Sequence, residues 1–244
     1  MREVFDRELT VSLSMTDASG RISYAEAFRL FIDAAAAHAE ELGLGLYDMR
    51  AKDLFWLAVK TRVHFGERPR IGSRFILRTW PEAADKIRGN RSYQLIADGK
   101  PVVWGKTEWA ILNTGTNRLV PMRGIYPPSL TFTKESASPE PFSRIDPENA
   151  VEYARYTVRS TDIDVGKHMN NVAYVRAVLG SFSSEELEAL SPASIEVLYK
   201  TSCFEGEDLV FSRESSAGGT DIAVTKNGEP AVMMRIKSRN AEAE

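Results

Sequence analysis

The sequence predicts an α+β fold arranged as a tandem duplication, each half a long helix followed by an antiparallel sheet. Three observations carry this. A helical period over Ser23 to Leu42 changes from Phe55 onward to a period of two. The stretch 127–150 then breaks both patterns, holding five of the eleven prolines and no apolar period, as a linker does. Beyond it the grammar of the first half recurs. Tyr24 and Tyr174 open the two helices, Lys60-Thr61 is echoed by Lys200-Thr201, and Asp98-Gly-Lys-Pro-Val102 is echoed by Asn227-Gly-Glu-Pro-Ala231. Aligned on the tyrosines, Ala18 falls opposite His168 and Gly20 opposite Asn170, so that alignment gives the polar cluster to the second half alone.

The first strand candidate is Arg7 to Met15. Ser23-Tyr-Ala-Glu26 has the spacing of a capping box, in which the serine accepts a backbone N–H three residues on. Tyr24, Phe28, Phe31, Ala35, His38 and Leu42 then share one helical face, and the small residues Ala34 to Ala37 let a sheet approach closely. His38, on that face, reads as a core or pocket histidine. Phe55, Leu57, Val59, Val63 and Phe65 alternate with Trp56, Ala58, Lys60, Arg62 and His64, which leaves His64 on the more polar face without a role. Strands follow at Arg74 to Trp80, Arg91 to Ala97 and Val102 to Asn113, the last two joined by the hairpin signal Asp98-Gly99. Trp80, Trp104 and Trp109 read as core or pocket wall. The second half supplies strands at Ser194 to Cys203, Asp208 to Glu214, Asp221 to Lys226 and Ala231 to Arg239, with turns at Gly218-Gly219 and Asn227-Gly228. The organisation expected is a first domain over 1–126, a linker over 127–150 and a second domain over 151–244.

With 244 residues, 43% hydrophobic and 27% charged, the chain can bury a sizeable core without staples. Its single cysteine, Cys203, excludes an internal disulfide, and three histidines beside one cysteine argue against a dedicated zinc site. Hydrolytic chemistry would therefore be metal-free and need no cofactor. A net charge of −3 argues against a nucleic-acid binder, which needs a clustered positive surface. No run approaches the length that spans a bilayer, so no membrane partner is expected. The start, Met-Arg-Glu-Val-Phe-Asp-Arg, has neither an apolar signal core nor a transit pattern, and a cytoplasmic location without a plastid targeting segment is expected. Arg68, Arg70, Arg74 and Arg78, then Lys86, Arg88 and Arg91, fit either solvated strand edges or a surface for an acidic partner.

The chemistry concentrates in Ser160-Thr-Asp-Ile-Asp-Val-Gly-Lys-His-Met-Asn-Asn-Val-Ala-Tyr174. Asp162, Asp164, His168, Asn170 and Asn171 stand together in a loop that feeds the apolar run Val172, Tyr174, Val175, Val178, Leu179 and Phe182, the pattern of a helix start. The free N–H groups of that helix would point back at the carboxylate and imidazole. Such an arrangement polarises a carbonyl and attacks it with water.

Residues 162–174 resemble the Asp-x-Asn-x-His-x-Asn-Asn-x-x-Tyr signature of the plant and bacterial acyl-ACP thioesterases, which carry two hotdog folds in one chain. Gly166 stands where that family has the first Asn. The shorter core Asp-x-x-x-His-x-Asn-Asn is also similar to single-hotdog acyl-CoA thioesterases of the 4-hydroxybenzoyl-CoA type. Tyr199-Lys-Thr-Ser-Cys203 resembles the family's Tyr-x-x-Glu-Cys segment, whose Glu and Cys have both been proposed as catalytic. Ser202 takes the Glu position and Cys203 the Cys position. An unpaired cysteine on an apolar strand reads as packing in preference to a nucleophile.

The resemblance implies a double hotdog whose first copy is structural or substrate-binding and whose second is catalytic. It implies hydrolysis of fatty acyl-ACP to free fatty acid, with acyl carrier protein as partner; a homodimer is left open. The alternatives are an acyl-CoA thioesterase and a non-catalytic acyl-binding hotdog, and a binding module needs none of Asp164, His168, Asn170 and Asn171. In the hydrolytic reading, N–H groups around Asn170 and Asn171 receive the oxyanion. Either His168 deprotonates a water that Asp164 helps orient, or Asp164 attacks directly to give an anhydride. Phe28, Phe31, Trp56 and Tyr174 are the candidates for lining the substrate.

Overall fold

The computed structural model of the chain describes residues 3–83, 87–122 and 124–239. They form two compact units that divide between Glu140 and Pro141.

In the first unit, Ser23 caps helix α1 (Tyr24–Glu41) by accepting the Glu26 N–H at 3.2 Å, as the Ser-x-x-Glu spacing requires. The helix buries Ala27, Phe28, Leu30, Phe31, Ala34, Ala35 and His38, one stripe at helical spacing. Beneath it run β1 (Phe5–Thr10), β2 (Leu54–Phe65), β3 (Arg74–Pro81), β4 (Arg88–Ala97) and β5 (Lys100–Asn113), all antiparallel, in the order β1-β3-β4-β5-β2. A short α2 (Leu46–Arg50) precedes β2, and β6 (Arg118–Val120) adds to β5. Phe31 stacks on Tyr93 of β4 with centroids 4.6 Å apart. Burying a side chain of that size contributes roughly 1.5–3 kcal/mol, and Phe28 and Phe31 are both almost wholly buried.

The first strand is shorter than the expected Arg7 to Met15. It ends at Thr10, and the chain then closes a 3-10 turn at Leu13–Met15, where the Thr16 hydroxyl and N–H both donate to the Leu13 carbonyl. In β2 Val63 and Phe65 are buried as the alternation expects, but Arg62 of the opposite face is buried too, and a bulge between Ala58 and Lys60 leaves the N-terminal half of the strand half-buried on both faces. His64 is not idle on a polar face. Its ring stacks on Trp104 and lies 3.1 Å from the Ser138 hydroxyl.

The second unit holds β7 (Val151–Thr157), α3 (Asn171–Leu179), α4 (Ser184–Leu190), β8 (Pro192–Tyr199), β9 (Asp208–Ser216), β10 (Gly219–Lys226) and β11 (Glu229–Ser238). Its sheet order, β7-β9-β10-β11-β8, repeats that of the first unit strand for strand. The hairpins that join β4 to β5 and β10 to β11 turn on Asp98-Gly99 and Asn227-Gly228. All four residues have positive φ (49°, 73°, 51° and 82°), as a two-residue hairpin turn of this hand demands.

The proline-rich stretch 127–150 carries no helix or strand, but its first part packs on the first unit. The Trp80 indole donates to the Glu135 carbonyl at 2.8 Å, and the Ala137 N–H donates to the Ser92 hydroxyl at 2.8 Å. Met122 and Leu130 join Leu42, Leu44, Met49 and Ile111 in one buried cluster.

The backbones of β2 and β5 approach closely at Gly105, where a Cβ would stand 2.0 Å from the Arg62 carbonyl oxygen. Gly105→Ala is expected to force β2 and β5 apart at a cost of about 1–3 kcal/mol. Calorimetry should show Tm lowered by several degrees, and an unchanged Tm would contradict the packing described.

Candidate active site

The polar cluster of the second unit is a short turn pinned by its own backbone. The Asp164 N–H donates to the His168 carbonyl (3.1 Å) and the Lys167 N–H returns to the Asp164 carbonyl (2.9 Å), with Lys167 in the left-handed region at φ 62°. Asp164 Oδ1 accepts the Gly166 N–H at 2.7 Å. The turn is tied at its base by the Asn170 N–H on the Asp162 carbonyl (2.8 Å) and by the Met169 N–H on the Cys203 carbonyl (2.8 Å). Asp162 is consumed structurally, its Oδ2 accepting from the Tyr156 hydroxyl (2.7 Å) and the Arg159 N–H (2.8 Å).

Asp164, Gly166, His168, Asn170 and Asn171 are all half-buried. His168 Nδ1 donates to the Met169 carbonyl at 3.3 Å. In the neutral ring this leaves Nε2 without a proton and able to accept one. Nε2 and Asp164 Oδ1 converge over Gly166, where an added Cβ would meet them at 2.9 and 3.0 Å. An Asn at 166, as in the family signature, would therefore require the imidazole to move.

Sequence reasoning expected both asparagine N–H groups to be open, and the structure divides them. Asn170 is the N-cap of α3, its Oδ1 accepting the Val172 N–H at 2.7 Å, and its own N–H is already spent on Asp162. Only the Asn171 N–H, at the positive end of α3, lacks an acceptor among the described residues.

The same turn occurs in the first unit, three residues out of step with the alignment on tyrosines. There the Asp17 N–H donates to the Arg21 carbonyl (3.0 Å), the Gly20 N–H to the Asp17 carbonyl (2.9 Å), the Ser19 N–H to Asp17 Oδ1 (3.0 Å) and the Ile22 N–H to the Pro69 carbonyl (2.9 Å). Asp17 is thus the counterpart of Asp164, Ser19 of Gly166, Arg21 of His168 and Ser23 of Asn170. On the facing loop Arg68 is the counterpart of Ser202, and Pro69 of Cys203. The repeated Tyr24 and Tyr174, and the two Lys-Thr pairs, are coincidences of residue type.

The occupants of the two turns differ. Arg68 reaches across to pair with Asp17 and donates to the Ile22 carbonyl at 2.7 Å, while its guanidinium covers the Tyr24 ring at 4.1 Å. Burial alone would push the Asp17 carboxyl up, but hydrogen bonds from Ser19 and Arg68 outweigh it and hold the group below its usual range. In the second unit exposed Ser202 replaces that arginine, and among the described residues no cation pairs with Asp164.

Cys203 does not lie on a strand, because β8 ends at Tyr199. It sits fully buried in the following loop, where its backbone does the work: its carbonyl holds Met169, and its N–H donates to the Tyr174 hydroxyl at 3.0 Å. Burial pushes its thiol pKa up, which disfavours a nucleophilic thiolate. Tyr174 is also buried, and its hydroxyl is committed to Cys203. It props the site from behind.

Of the first-half candidates, Phe28 and Phe31 belong to the core, while Trp56 borders a cavity of about 170 Å³ that also touches Ile32, Ala36, Trp109, Arg91 and Tyr126. Among the described basic residues of the Arg68 to Arg91 stretch, Arg70 is exposed and the others pair with a carboxylate or are buried. Arg68 pairs with Asp17, Arg74 with Glu8, Arg78 with Asp6 and Arg88 with Glu108, while Arg91 is buried; Lys86 lies outside the described residues.

The chain matches the acyl-ACP thioesterase N-terminal domain over residues 2–124 and the acyl-ACP thioesterase C-terminal domain over residues 145–240. It belongs to the acyl-ACP thioesterase family. The fold is the double hotdog. An acyl-ACP thioesterase from Bacteroides thetaiotaomicron superposes with a TM-score of 0.87 at 22% identity, covering 96% of this chain and 97% of that one. The 12:0-ACP thioesterase from Umbellularia californica superposes at 0.85 with 20% identity, covering 98% of each chain. Among sequences, the chloroplastic oleoyl-acyl carrier protein thioesterase of Coriandrum sativum is 27% identical over 193 residues, 73% of this chain and 52% of that protein. The chloroplastic palmitoyl-acyl carrier protein thioesterase of Arabidopsis thaliana is 27% identical over 186 residues, 72% and 44% of the two chains. The chain spans about half the length of these curated relatives.

A buried thiol with a raised pKa should resist iodoacetamide at pH 8 in the native protein and react fully in denaturant. Mass spectrometry reads the outcome, and rapid native alkylation of Cys203 would contradict the packing role.

Proposed function

We propose that this protein hydrolyses the thioester of a fatty acyl group carried on acyl carrier protein, releasing the free fatty acid. The observation that carries the reading is the contrast between two copies of one turn. In the first an arginine occupies the aspartate and Arg21 stands in the histidine position; in the second no cation among the described residues pairs with Asp164, and His168 Nε2 lies beside it. A purely acyl-binding protein has no need for that difference.

The thioester carbonyl lies against the Asn171 N–H at the start of α3, where the helix end favours the developing oxyanion; one donor of this kind is worth about 3 kcal/mol. His168 Nε2 takes the proton from the attacking water, and the Met169 carbonyl, bonded to Nδ1, steadies the imidazolium that results. Asp164 keeps one oxygen on the Gly166 N–H, which aims the carboxylate at the same point as Nε2 and lets it orient the water. That fixed role favours the water mechanism over direct attack by Asp164. The thiol of Cys203 takes no part.

The assay is free-thiol release from acyl-ACP and acyl-CoA of matched chain length, run on the wild type, His168→Ala and Ser202→Arg. Turnover of acyl-ACP with kcat/KM above that of acyl-CoA is expected, and both variants should fall by at least about a hundredfold while remaining folded. In Ser202→Arg the new guanidinium would lock Asp164 as Arg68 locks Asp17. No hydrolysis of either carrier by the wild type, or full activity in the variants, would overturn the assignment.

A further inference from the structure

Gly166 lies against the two groups assigned to the chemistry, and its missing side chain is not a demand of the backbone. Its φ lies outside the positive region that favours glycine. The corresponding position of the first unit holds Ser19, whose N–H donates to Asp17 Oδ1 at 3.0 Å in the same turn, so the turn accepts a side chain there. What differs is the residue two positions on. In the first unit Arg21 leans towards the facing loop, donating to the Arg68 carbonyl at 2.6 Å and to Glu67 at 3.3 Å, and the Ser19 hydroxyl bonds Asp17 Oδ1. In the second, His168 turns its ring back over the turn. A Cβ at position 166 would stand 2.9 Å from His168 Nε2, 3.3 Å from its Cδ2 and 3.0 Å from Asp164 Oδ1, all of them side-chain atoms. Nε2 and Oδ1 are therefore no farther apart than two hydrogen bonds through one water span.

We propose that Gly166 is a positioning residue for hydrolysis: with no side chain at this position, the His168 imidazole closes on Asp164, and Nε2 and Oδ1 share the attacking water. The inference rests on the thioesterase reading above and adds to it a residue that acts only through the ring and the carboxylate. The family signature has an asparagine here, whose side chain would start where the ring now lies. This chain assembles its water-holding pair by removing that side chain. Because the clash is with the ends of two side chains, a small group at 166 is accommodated by turning the ring away, and the backbone need not move. The Gly166 N–H that holds Asp164 Oδ1 at 2.7 Å survives any such change except to proline. The effect falls on the chemistry, where a misplacement of about 1 Å can cost about a hundredfold in rate.

The test is Gly166→Ala and Gly166→Ser in the whole chain, assayed for acyl-ACP hydrolysis and by heteronuclear NMR of the imidazole rings. The chain has three histidines, and comparison with His168→Ala identifies the signals of interest. Both variants should hold Tm within about 3 °C of the wild type. In both, kcat should fall at least about tenfold with KM within about twofold, the split expected when only the reacting geometry is disturbed. The His168 ring signals should move while those of His38 and His64 stay in place. Gly166→Ser guards against a folding failure, since the first unit closes the same turn around Ser19. Undiminished kcat in either variant, or unmoved His168 signals, overturns the proposal and leaves the hydrolysis standing. Loss of activity only in step with a large fall in Tm in both variants assigns Gly166 to the fold and overturns it as well. A wild type that cleaves neither acyl-ACP nor acyl-CoA overturns the thioesterase reading, and this inference with it.

Discussion

The structure of both units depends on one closed turn, an aspartate whose side-chain oxygen accepts the backbone N–H two residues on while its own carbonyl accepts a third. Asp164 with Gly166 and Lys167, and Asp17 with Ser19 and Gly20, are the two examples. The turn delivers the chain to the N-cap of a helix, Asn170 in one copy and Ser23 in the other, and a facing loop ties it down through Cys203 or Pro69. Every polar group in the candidate site takes its position from that bond set. The helix end, the imidazole and the carboxylate come together because the backbone has only one way to satisfy its donors there.

The two copies share a scaffold and differ in its occupants. In the first unit the charge on Asp17 is matched by a largely buried arginine that also fills the space above Tyr24, so the turn becomes a packing element. In the second Ser202 and Gly166 stand in place of Arg68 and Ser19, and among the described residues the Asp164 carboxylate accepts a backbone N–H alone. A half-buried carboxylate without a cation is less stabilising than an ion pair in the same place, and active sites commonly retain such imbalance. Tyr174 and Cys203 supply the rigidity that the missing pair would have given, through a buried hydroxyl on a backbone N–H.

Much of the fold was legible because its signals are local. The capping box at Ser23, the period change at Phe55 and the two hairpin turns each rest on backbone rules that a few residues satisfy. The cluster around Asp164 and His168 was legible for the same reason. What escaped was correspondence in space. The duplicated turn is defined by hydrogen bonds that residue types do not advertise, so matching tyrosines placed Ala18 opposite His168 and hid Asp17 and Arg21. The strand β7 was missed because an edge strand with exposed Val151 and Glu152 lacks a clean alternation. Likewise α4 went unread although Ser183 and Glu186 form a full capping box. Phe28 and Phe31 enter the core from α1 while Trp56 of β2 borders the cavity, a difference of packing that no local pattern marks. The burial of Arg91 had no sequence signal beyond an arginine amid strand residues.

The central claim is that one aspartate of the pair is chemical and the other structural. Asp164→Asn and Asp17→Asn, which keep the size and the acceptor oxygen, measured side by side for thioester hydrolysis and for Tm, test it most directly. The account predicts that Asp164→Asn loses at least about a hundredfold in turnover with little change in Tm, while Asp17→Asn lowers Tm and leaves turnover near that of the wild type. Lost turnover in Asp17→Asn at an unaltered Tm, or undiminished turnover in Asp164→Asn, would contradict it.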